Sequence, residues 1–183
     1  MSQFTVRRVS VGFGPGARPA LQRDLDALAA SVDLTTDEGL REALHRVGAR
    51  LGEAARSATH ALVVDTTKSV LEAPPFFAAM AEELRGRYPH ETRRNETQHP
   101  ATVEGDLTIP GHLVVSVVIG AFGSLAPCRA DGRAGLLDAL AAMQAIDVPV
   151  VALEVIWSPS VESDRMSAEA MMSRYPELSA LDA

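Results

Sequence analysis

The hydrophobic and polar positions of the chain change their period several times, and each period predicts a different element. Residues 4–13 alternate apolar and polar side chains, which predicts a strand. The phase of this alternation changes at Arg7-Arg8, which indicates either a bulge or a strand that is buried on both sides. Three further short, apolar runs rich in β-branched side chains also predict strands: 60–65, 112–122 and 148–157.

Helical periodicity fills most of the remaining chain. Apolar side chains recur every third or fourth residue in four segments, which predict amphipathic helices: residues 18–31, a segment from near Thr35 to residue 58, a segment from Pro74 to Tyr88, and residues 132–146. Thr35 and Glu38 have the spacing of a capping box, so Thr35 is predicted to begin the second helix. The first two helices are separated by a short turn, and we expect them to form an antiparallel pair.

These elements predict an α/β fold, with α+β as the alternative. The strands at 112–122 and 148–157 are separated by about 25 residues that contain a helix, and this arrangement is typical of parallel neighbours joined by a right-handed crossover. We therefore expect a single domain over residues 1–183. It has a small mixed sheet of about four strands, covered by the helix pair and by further helices. The polar segment around 89–110 is predicted to be a long surface loop.

The C-terminal segment is predicted to end in a docked helix, at residues 167–178. Pro159 cannot continue a sheet ladder, so the last strand should stop there, and Ser167 is the expected N-cap of the helix. Such a short helix is unstable alone in water and must pack on the rest of the protein. We expect Tyr175 and Leu178 to lie near Trp157, so that the segment clamps the last strand.

The net charge and the cysteine content limit the kinds of partner and the cellular location that can be expected. The chain has 183 residues and a net charge of -7, and its only basic doublets are Arg7-Arg8 and Arg93-Arg94. Because phosphate binding requires a concentrated basic surface, we expect no nucleic-acid partner. Cys128 is the only cysteine and cannot form an internal disulfide, which favours a cytoplasmic location. It follows Pro127 without an adjacent histidine, so we interpret it as an unreactive thiol.

Neither a membrane segment nor a signal peptide is indicated. The longest apolar run, residues 113–122, is shorter than the roughly 20 residues that a membrane-spanning helix requires. The N-terminal stretch MSQFTVRRVS lacks the apolar region of a signal peptide. We therefore expect no membrane insertion.

A glycine-rich turn is the first candidate site. The stretch GFGPGA fits the dinucleotide-binding pattern G-x-G-x-x-G/A, with Gly12, Gly14 and Ala17 in the three key positions between a strand and a helix. The pattern also requires a second strand that ends in an acidic residue about 20 residues later, and a helix is predicted there. Pro15 additionally removes a backbone donor. An ordinary strand-to-helix turn is the favoured interpretation.

Asp65 is the second candidate, in the stretch VVDTTKS. An aspartate at the end of a strand is the nucleophile of some phosphotransfer enzymes, but the second aspartate of that pattern is Thr67 here. A turn that begins at Asp65 is the favoured interpretation. His90, Glu91, Glu96 and His99 also cluster in the polar segment, but their spacing does not impose a metal site. We expect no metal and no cofactor.

Glu154 raises a different question, because it lies in the most apolar strand near the C-terminus. Both faces of this strand are apolar, so the carboxylate requires a partner or access to water. Arg8 shares a phase with the apolar residues of the first strand and is the expected partner if the two strands are adjacent. We interpret Glu154 as a structural charge, because no second polar group for acid–base catalysis is evident.

Several stretches resemble a known family, the domain of unknown function 1517 of plants, cyanobacteria and other bacteria. They are LQRDLDALAASVDLTTDEGL (21–40), HLVVSVVIGA (112–121), LEVIWSP (153–159) and MSAEAMMSRYPEL (166–178). The resemblance implies the fold and its boundaries, and it marks five residues as family-pattern positions: Glu154, Trp157, Pro159, Tyr175 and Pro176. It implies no activity. We expect the chain to be one of the bacterial members.

The sequence therefore predicts a non-catalytic, soluble binding or regulatory module. It would act through an unknown protein partner or as a homo-oligomer. The alternative, from another functional class, is a nucleotide-binding protein or enzyme that uses the Gly12–Ala17 loop together with Asp65.

Overall fold

A computed structural model describes residues 3–88, 111–161 and 164–182. Ten elements and a short 3-10 turn, Ala55–Ser57, follow one another along these residues. They are β1 (Gln3–Phe13), α1 (Arg18–Ser31), α2 (Asp37–Ala54), β2 (Ala58–Ser69), α3 (Ala73–Gly86), β3 (Leu113–Phe122), α4 (Gly132–Gln144), β4 (Val150–Ser158), α5 (Ala168–Arg174) and β5 (Ser179–Ala180). The predicted polar loop at 89–110 lies outside the described residues.

The strands form one sheet with the order β4-β3-β1-β2-β5. Every described pair of neighbouring strands is antiparallel. The fold is therefore α+β, the alternative form of the predicted class, and it has five strands rather than about four. The additional strand, β5, is only two residues long and was too short to leave a periodic signal.

The prediction of parallel β3 and β4 was wrong. Residues 123–131 leave the end of β3 and pass Arg7, which donates a hydrogen bond to the carbonyl oxygen of Ala126. They reach the opposite end of the sheet, where Arg133 bonds the carbonyl oxygen of Ala58. Nine extended residues span up to about 30 Å, enough to cross the sheet before α4 begins. Since α4 then returns along the sheet, β4 begins where β3 ended, with Val150 beside Ala121.

The sheet is covered on both sides. We call the side beneath α1, α2 and α4 the first face and the side beneath α3 and α5 the second face. The first face carries the larger apolar cluster, which includes Val9, Val11 and Phe13 of β1, whereas Phe4 and Val6 belong to the cluster on the second face. β1 is thus buried on both sides, which explains its change of phase; its bulge lies elsewhere, between Gly12 and Phe13.

Two local predictions were also wrong. Thr36, rather than Thr35, caps α2 by accepting a hydrogen bond from the Gly39 amide at 3.1 Å. Thr35 is instead held by Asp33, whose side chain bonds both its amide and its hydroxyl group. In addition, β2 does not turn at Asp65 but continues to Ser69, because β1 pairs with it along its whole length.

The C-terminal segment packs on the second face. Ser167 caps α5 by accepting a hydrogen bond from the Ala170 amide at 3.0 Å, and the helix ends at Arg174, earlier than predicted. Met171, Tyr175 and Leu178 are buried in the second-face cluster. Trp157 packs against the first-face cluster, so the expected contact with Tyr175 and Leu178 was wrong. Residues 157 and 156 of a strand point to opposite faces, and the segment lies on the side of Ile156.

Candidate functional site

The second face has a polar centre within its apolar cluster. Arg8 of β1 is buried, and its Nε donates a hydrogen bond to Ser10 Oγ at 2.8 Å. Ser10 Oγ lies 2.7 Å from Ser116 Oγ of β3, and Arg8 Nη2 bonds Glu177 Oε1 at 2.5 Å. The sheet places these side chains in contact because residues 8, 10 and 116 point to the same face.

Glu177 bridges this centre to α3. The carboxylate also accepts a hydrogen bond from Arg87, whose guanidinium lies 5.1 Å from the centre of the Tyr175 ring. Burial alone would raise the pKa of Glu177, but hydrogen bonds from its own backbone amide, from Arg8 and from Arg87 outweigh burial and lower it. We call Arg8, Ser10, Arg87, Ser116 and Glu177 the arginine–glutamate network. Because Glu177 is ionised at neutral pH, it is a poor proton donor.

Glu154 lies on the same face but outside this network. Its carboxylate accepts a hydrogen bond from Arg85 of α3 at 2.5 Å. The expected partner, Arg8, was wrong, because β3 lies between β4 and β1: Glu154 is opposite Val118, which is in turn opposite Arg8. Two strand spacings separate Glu154 from Arg8, about 10 Å. The Glu154 side chain is 35% exposed and that of Arg85 is 38% exposed, so water screens the pair.

Asp65 is engaged on the first face. It accepts two hydrogen bonds from Arg7, at 2.7 Å from Nε and 2.6 Å from Nη2, and the Arg7 side chain is fully buried. Cys128 lies close enough to feel both charges, and burial is the main reason that its pKa is raised. A carboxylate that neutralises a buried arginine is a weak nucleophile, and a thiol with a raised pKa is a weak one as well.

The structure does not bring the glycine-rich turn to Asp65. Gly12 is opposite His60 on β2, whereas Asp65 is opposite Arg7, five residues farther along β2. This separation corresponds to about 17 Å. The Gly14 amide donates to the carbonyl oxygen of Ser57, and the Ala17 amide donates to that of Gly14. Two of the backbone donors that a phosphate would need are therefore engaged within the protein.

The remaining family-pattern residues occupy turns and packing positions. Pro159 follows the end of β4 through a cis peptide bond, and its carbonyl oxygen accepts a hydrogen bond from Gln22 at 2.7 Å. Pro176 lies just after α5, in the turn that joins the buried residues Tyr175 and Leu178. Trp157 is half-buried, and its indole N–H has no acceptor in the described parts of the chain.

Sequence reasoning missed most of the charged partners. Arg85 and Arg87 read as ordinary exposed residues of an amphipathic helix, and Glu177 lies in a short segment without periodicity. Of these residues only Arg8 was noticeable in the sequence, because it is an arginine within an apolar strand. A charge in such a strand requires an opposite charge nearby, but the pattern does not say which one.

No metal centre made of the usual ligands is evident where the structure is described. Residues 3–88, 111–161 and 164–182 contain no group of three or more histidine, cysteine, aspartate or glutamate side chains that could hold an ion. The candidate ligands His90, Glu91, Glu96 and His99 lie outside these ranges.

The fold and the paired interior charges define an α+β protein whose antiparallel sheet is enclosed by helices on both faces. The family model for a protein of unknown function, DUF1517, matches residues 3–181, and the chain belongs to this family. None of the helices in the described ranges combines the length and the hydrophobicity that crossing a membrane demands.

A plant relative extends the comparison. The chain is 27% identical over 172 residues to the Arabidopsis thaliana protein named FLUCTUATING-LIGHT-ACCLIMATION protein 1, chloroplastic. The matched region is 89% of this chain but 43% of the plant protein, so the chain spans less than half the length of that relative. No solved structure matches the chain significantly.

Proposed function

We propose that the protein is a non-catalytic binding module that acts through protein–protein contacts, the first of which joins two copies at β4. One observation carries the proposal. Within the described parts of the chain, β4 has a strand neighbour on one side only, so its outer backbone groups have no sheet partner. A row of unpaired amides and carbonyls is a ready template for another strand.

The opposite edge of the sheet is less suited to this role. Beyond its short pairing with β5, β2 carries Lys68, and a lysine on an edge strand opposes the addition of another strand. β4 has a single charge, Glu154, which Arg85 already neutralises. At the start of β4, Val151 is unpaired in a bulge and 43% exposed, and the regular edge follows it.

A second copy is the simplest occupant of this edge. A two-fold axis at Val155 would pair two β4 strands antiparallel and would extend one sheet into the other. In this register Leu153 is opposite Trp157 of the other copy, which joins two apolar side chains on the first face. Glu154 is opposite Ile156, so the two Glu154 carboxylates do not face each other directly.

Hydrogen exchange at different protein concentrations tests the proposal. Light scattering should detect a dimer over a roughly hundredfold range of concentration, and those amides of residues 152–158 that point away from β3 should gain protection as the dimer forms. Val151→Lys should weaken the dimer, because a lysine at the edge resists desolvation by an incoming strand. Leu137→Lys, on α4, is the matched control, since Leu137 is 45% exposed. A monomer at every concentration would refute self-association through β4.

The role of the module is proposed to be regulatory. The arrangement of its interior charges supports this, because the carboxylates of Glu154, Glu177 and Asp65 are each engaged in an ion pair with an arginine. The name of the plant relative refers to acclimation, and a regulatory role for this chain would be in keeping with that name. We further propose a cytoplasmic location, because a single cysteine suits a reducing compartment. Fractionation of the native cell would test the location.

The competing hypothesis is nucleotide binding at Gly12–Ala17 with Asp65. We expect titration with adenine and guanine nucleotides to cause no change in melting temperature. We also expect no salt-sensitive binding of DNA or RNA, because the net charge is -7. Stabilisation by a nucleotide that is lost in Asp65→Asn and kept in Asp138→Asn, an exposed position on α4, would favour the competing hypothesis instead.

A further inference from the structure

Gly12 of β1 has no side chain, and this leaves space on the second face that side chains from other elements occupy. Gly12 is opposite His60 of β2 on one side and opposite Val114 of β3 on the other. A Cβ atom at Gly12 would lie 3.0 Å from the sulfur of Met171 and 3.5 Å from Cβ of His60. The thioether of α5 therefore occupies the space above Gly12, directly beside His60, and it is fully buried.

His112 lies on the β3 side of Gly12, whereas His60 lies on the β2 side. His112 lies two residues before Val114, immediately before β3 begins. Its amide donates a hydrogen bond to the carbonyl oxygen of Met166 at 2.7 Å, which attaches it to the segment that leads into α5. Its Nδ1 is buried and has no hydrogen-bond partner in the part of the chain that the structure describes. Since Gly12 has His60 on one side and the start of β3 on the other, the two histidines flank Gly12 from its two neighbouring strands.

The hydrogen bonds of Thr59 orient the His60 ring. Thr59 Oγ1 donates its single proton to the carbonyl oxygen of Gly12 at 3.3 Å and lies 3.0 Å from His60 Nδ1. The tautomer that satisfies both contacts has Nδ1 donating to Thr59. The neutral ring then has its lone pair on Nε2. A histidine whose one nitrogen donates to a neighbour while the other is a lone pair has the arrangement of most metal-bound histidines.

We propose that His60, His112 and Met171 form a binding site for a soft monovalent metal ion of the copper(I) type. A thioether selects copper(I) over harder ions, and imidazole also binds copper. All three ligands are neutral, so the site would retain a charge of one. Burying a single charge costs less free energy than burying the two charges of a zinc ion. The site goes beyond the proposed role in protein–protein contact and does not depend on it.

Titration with copper(I), held reduced and buffered by a competing chelator, tests the proposal. Silver(I) is the air-stable probe for the same ligands. Every variant is made in a Cys128→Ser background, because a free thiol also binds both ions. We expect one ion to bind in this background, and the NMR signal of the Met171 methyl group should move on addition of silver(I).

Four variants address the site, three at the ligands and one at Gly12, and two further variants serve as controls. Met171→Leu, His60→Gln and His112→Gln should each weaken binding by roughly 10- to 100-fold. Gly12→Ala should also weaken it, because the new methyl group displaces the Met171 sulfur while every ligand is retained. Met172→Leu on the same helix and His45→Gln on α2 should leave binding unchanged. Melting curves establish that each variant is folded.

Two results would overturn the proposal. The first is binding that is unaffected by Met171→Leu, His60→Gln and His112→Gln in folded protein. The second is no bound copper(I) or silver(I) in the Cys128→Ser background. Weakening by substitution of Met171, His60 and His112, but not of Met172 and His45, supports the site.

Discussion

The two faces of the sheet are stabilised in different ways. The first face packs the sheet against α1, α2 and α4 through a large cluster of apolar side chains, and its buried charge, Arg7, lies toward one end. The second face places the arginine–glutamate network within its cluster, under α3 and α5. Apart from its Arg7–Asp65 ion pair, the first face should therefore respond mainly to changes of volume, whereas the second should also respond to charge and pH.

Removal of the C-terminal segment from residue 167 onward should have the largest effect. Met171, Tyr175 and Leu178 are each buried in the second face, and each contributes roughly 1.5–3 kcal/mol of burial. The truncation also leaves Arg8 without Glu177. We expect the truncated chain to aggregate or to lose cooperative unfolding in a thermal melt. Truncation after Leu181 is the control and should melt like the full chain; equal melting of both truncations would show that the second face does not need this segment.

Leu51→Ala tests the first face and should have the next largest effect. Leu51 is completely buried between α2 and the sheet, so its truncation should lower the free energy of unfolding by about 2–5 kcal/mol. Urea titrations at neutral and mildly acidic pH should give the same loss, because no charge is changed. Leu34→Ala, at a position 46% exposed, should have little effect. A loss at Leu51 that varies strongly with pH would mean that the two faces are not independent.

Glu177→Gln tests the network and should cost roughly 1–3 kcal/mol at neutral pH, because Arg8 remains buried with a neutral partner. The folded pKa of Glu177 lies below its ordinary value of 4.5. Its contribution is therefore fully present above the unfolded pKa and is lost as pH falls through the folded pKa. The difference between the two proteins should shrink in acid. Asp138→Asn is the exposed control, and a difference that grows in acid would contradict the assignment.

Glu154→Gln should have the smallest effect, about 0–1 kcal/mol, because Glu154 and Arg85 are both partly exposed. Added salt should reduce even this difference. Arg85→Gln also removes the exposed contact with Glu82, so a double substitution should cost no more than Arg85→Gln alone. A loss as large as that of Glu177→Gln would mean that Glu154 has a role beyond this ion pair.

The first face was largely predictable, because its helices and strands follow hydrophobic periodicity. Helix α1 begins and ends where the pattern placed it, and β3 differs by one residue. The direction of β4 was not predictable, since it depends on the path of residues 123–131. This segment has no periodicity, and its course is fixed by contacts such as that between Arg7 and Ala126.

The second face was predictable in its apolar part only. Tyr175 and Leu178 were correctly expected to be buried, but the network was not anticipated. Arg8 and Glu177 are 169 residues apart in sequence, and no local pattern pairs them. The proposed ligands have the same character, because strand register and the missing side chain of Gly12, rather than a local pattern, place Met171 beside His60.

The position of β1 in the sheet also constrains how the chain is made. β1 precedes the other strands of the sheet in the sequence, yet it lies between β2 and β3, and Arg7 is opposite Asp65 on one side and Ile119 on the other. Half of its backbone partners are therefore missing until β3, which begins about 100 residues after β1 ends, has been synthesised. An apolar strand that waits for such distant partners is exposed to aggregation during translation. Nascent chains that end before β3 should accordingly be the ones that chaperones capture.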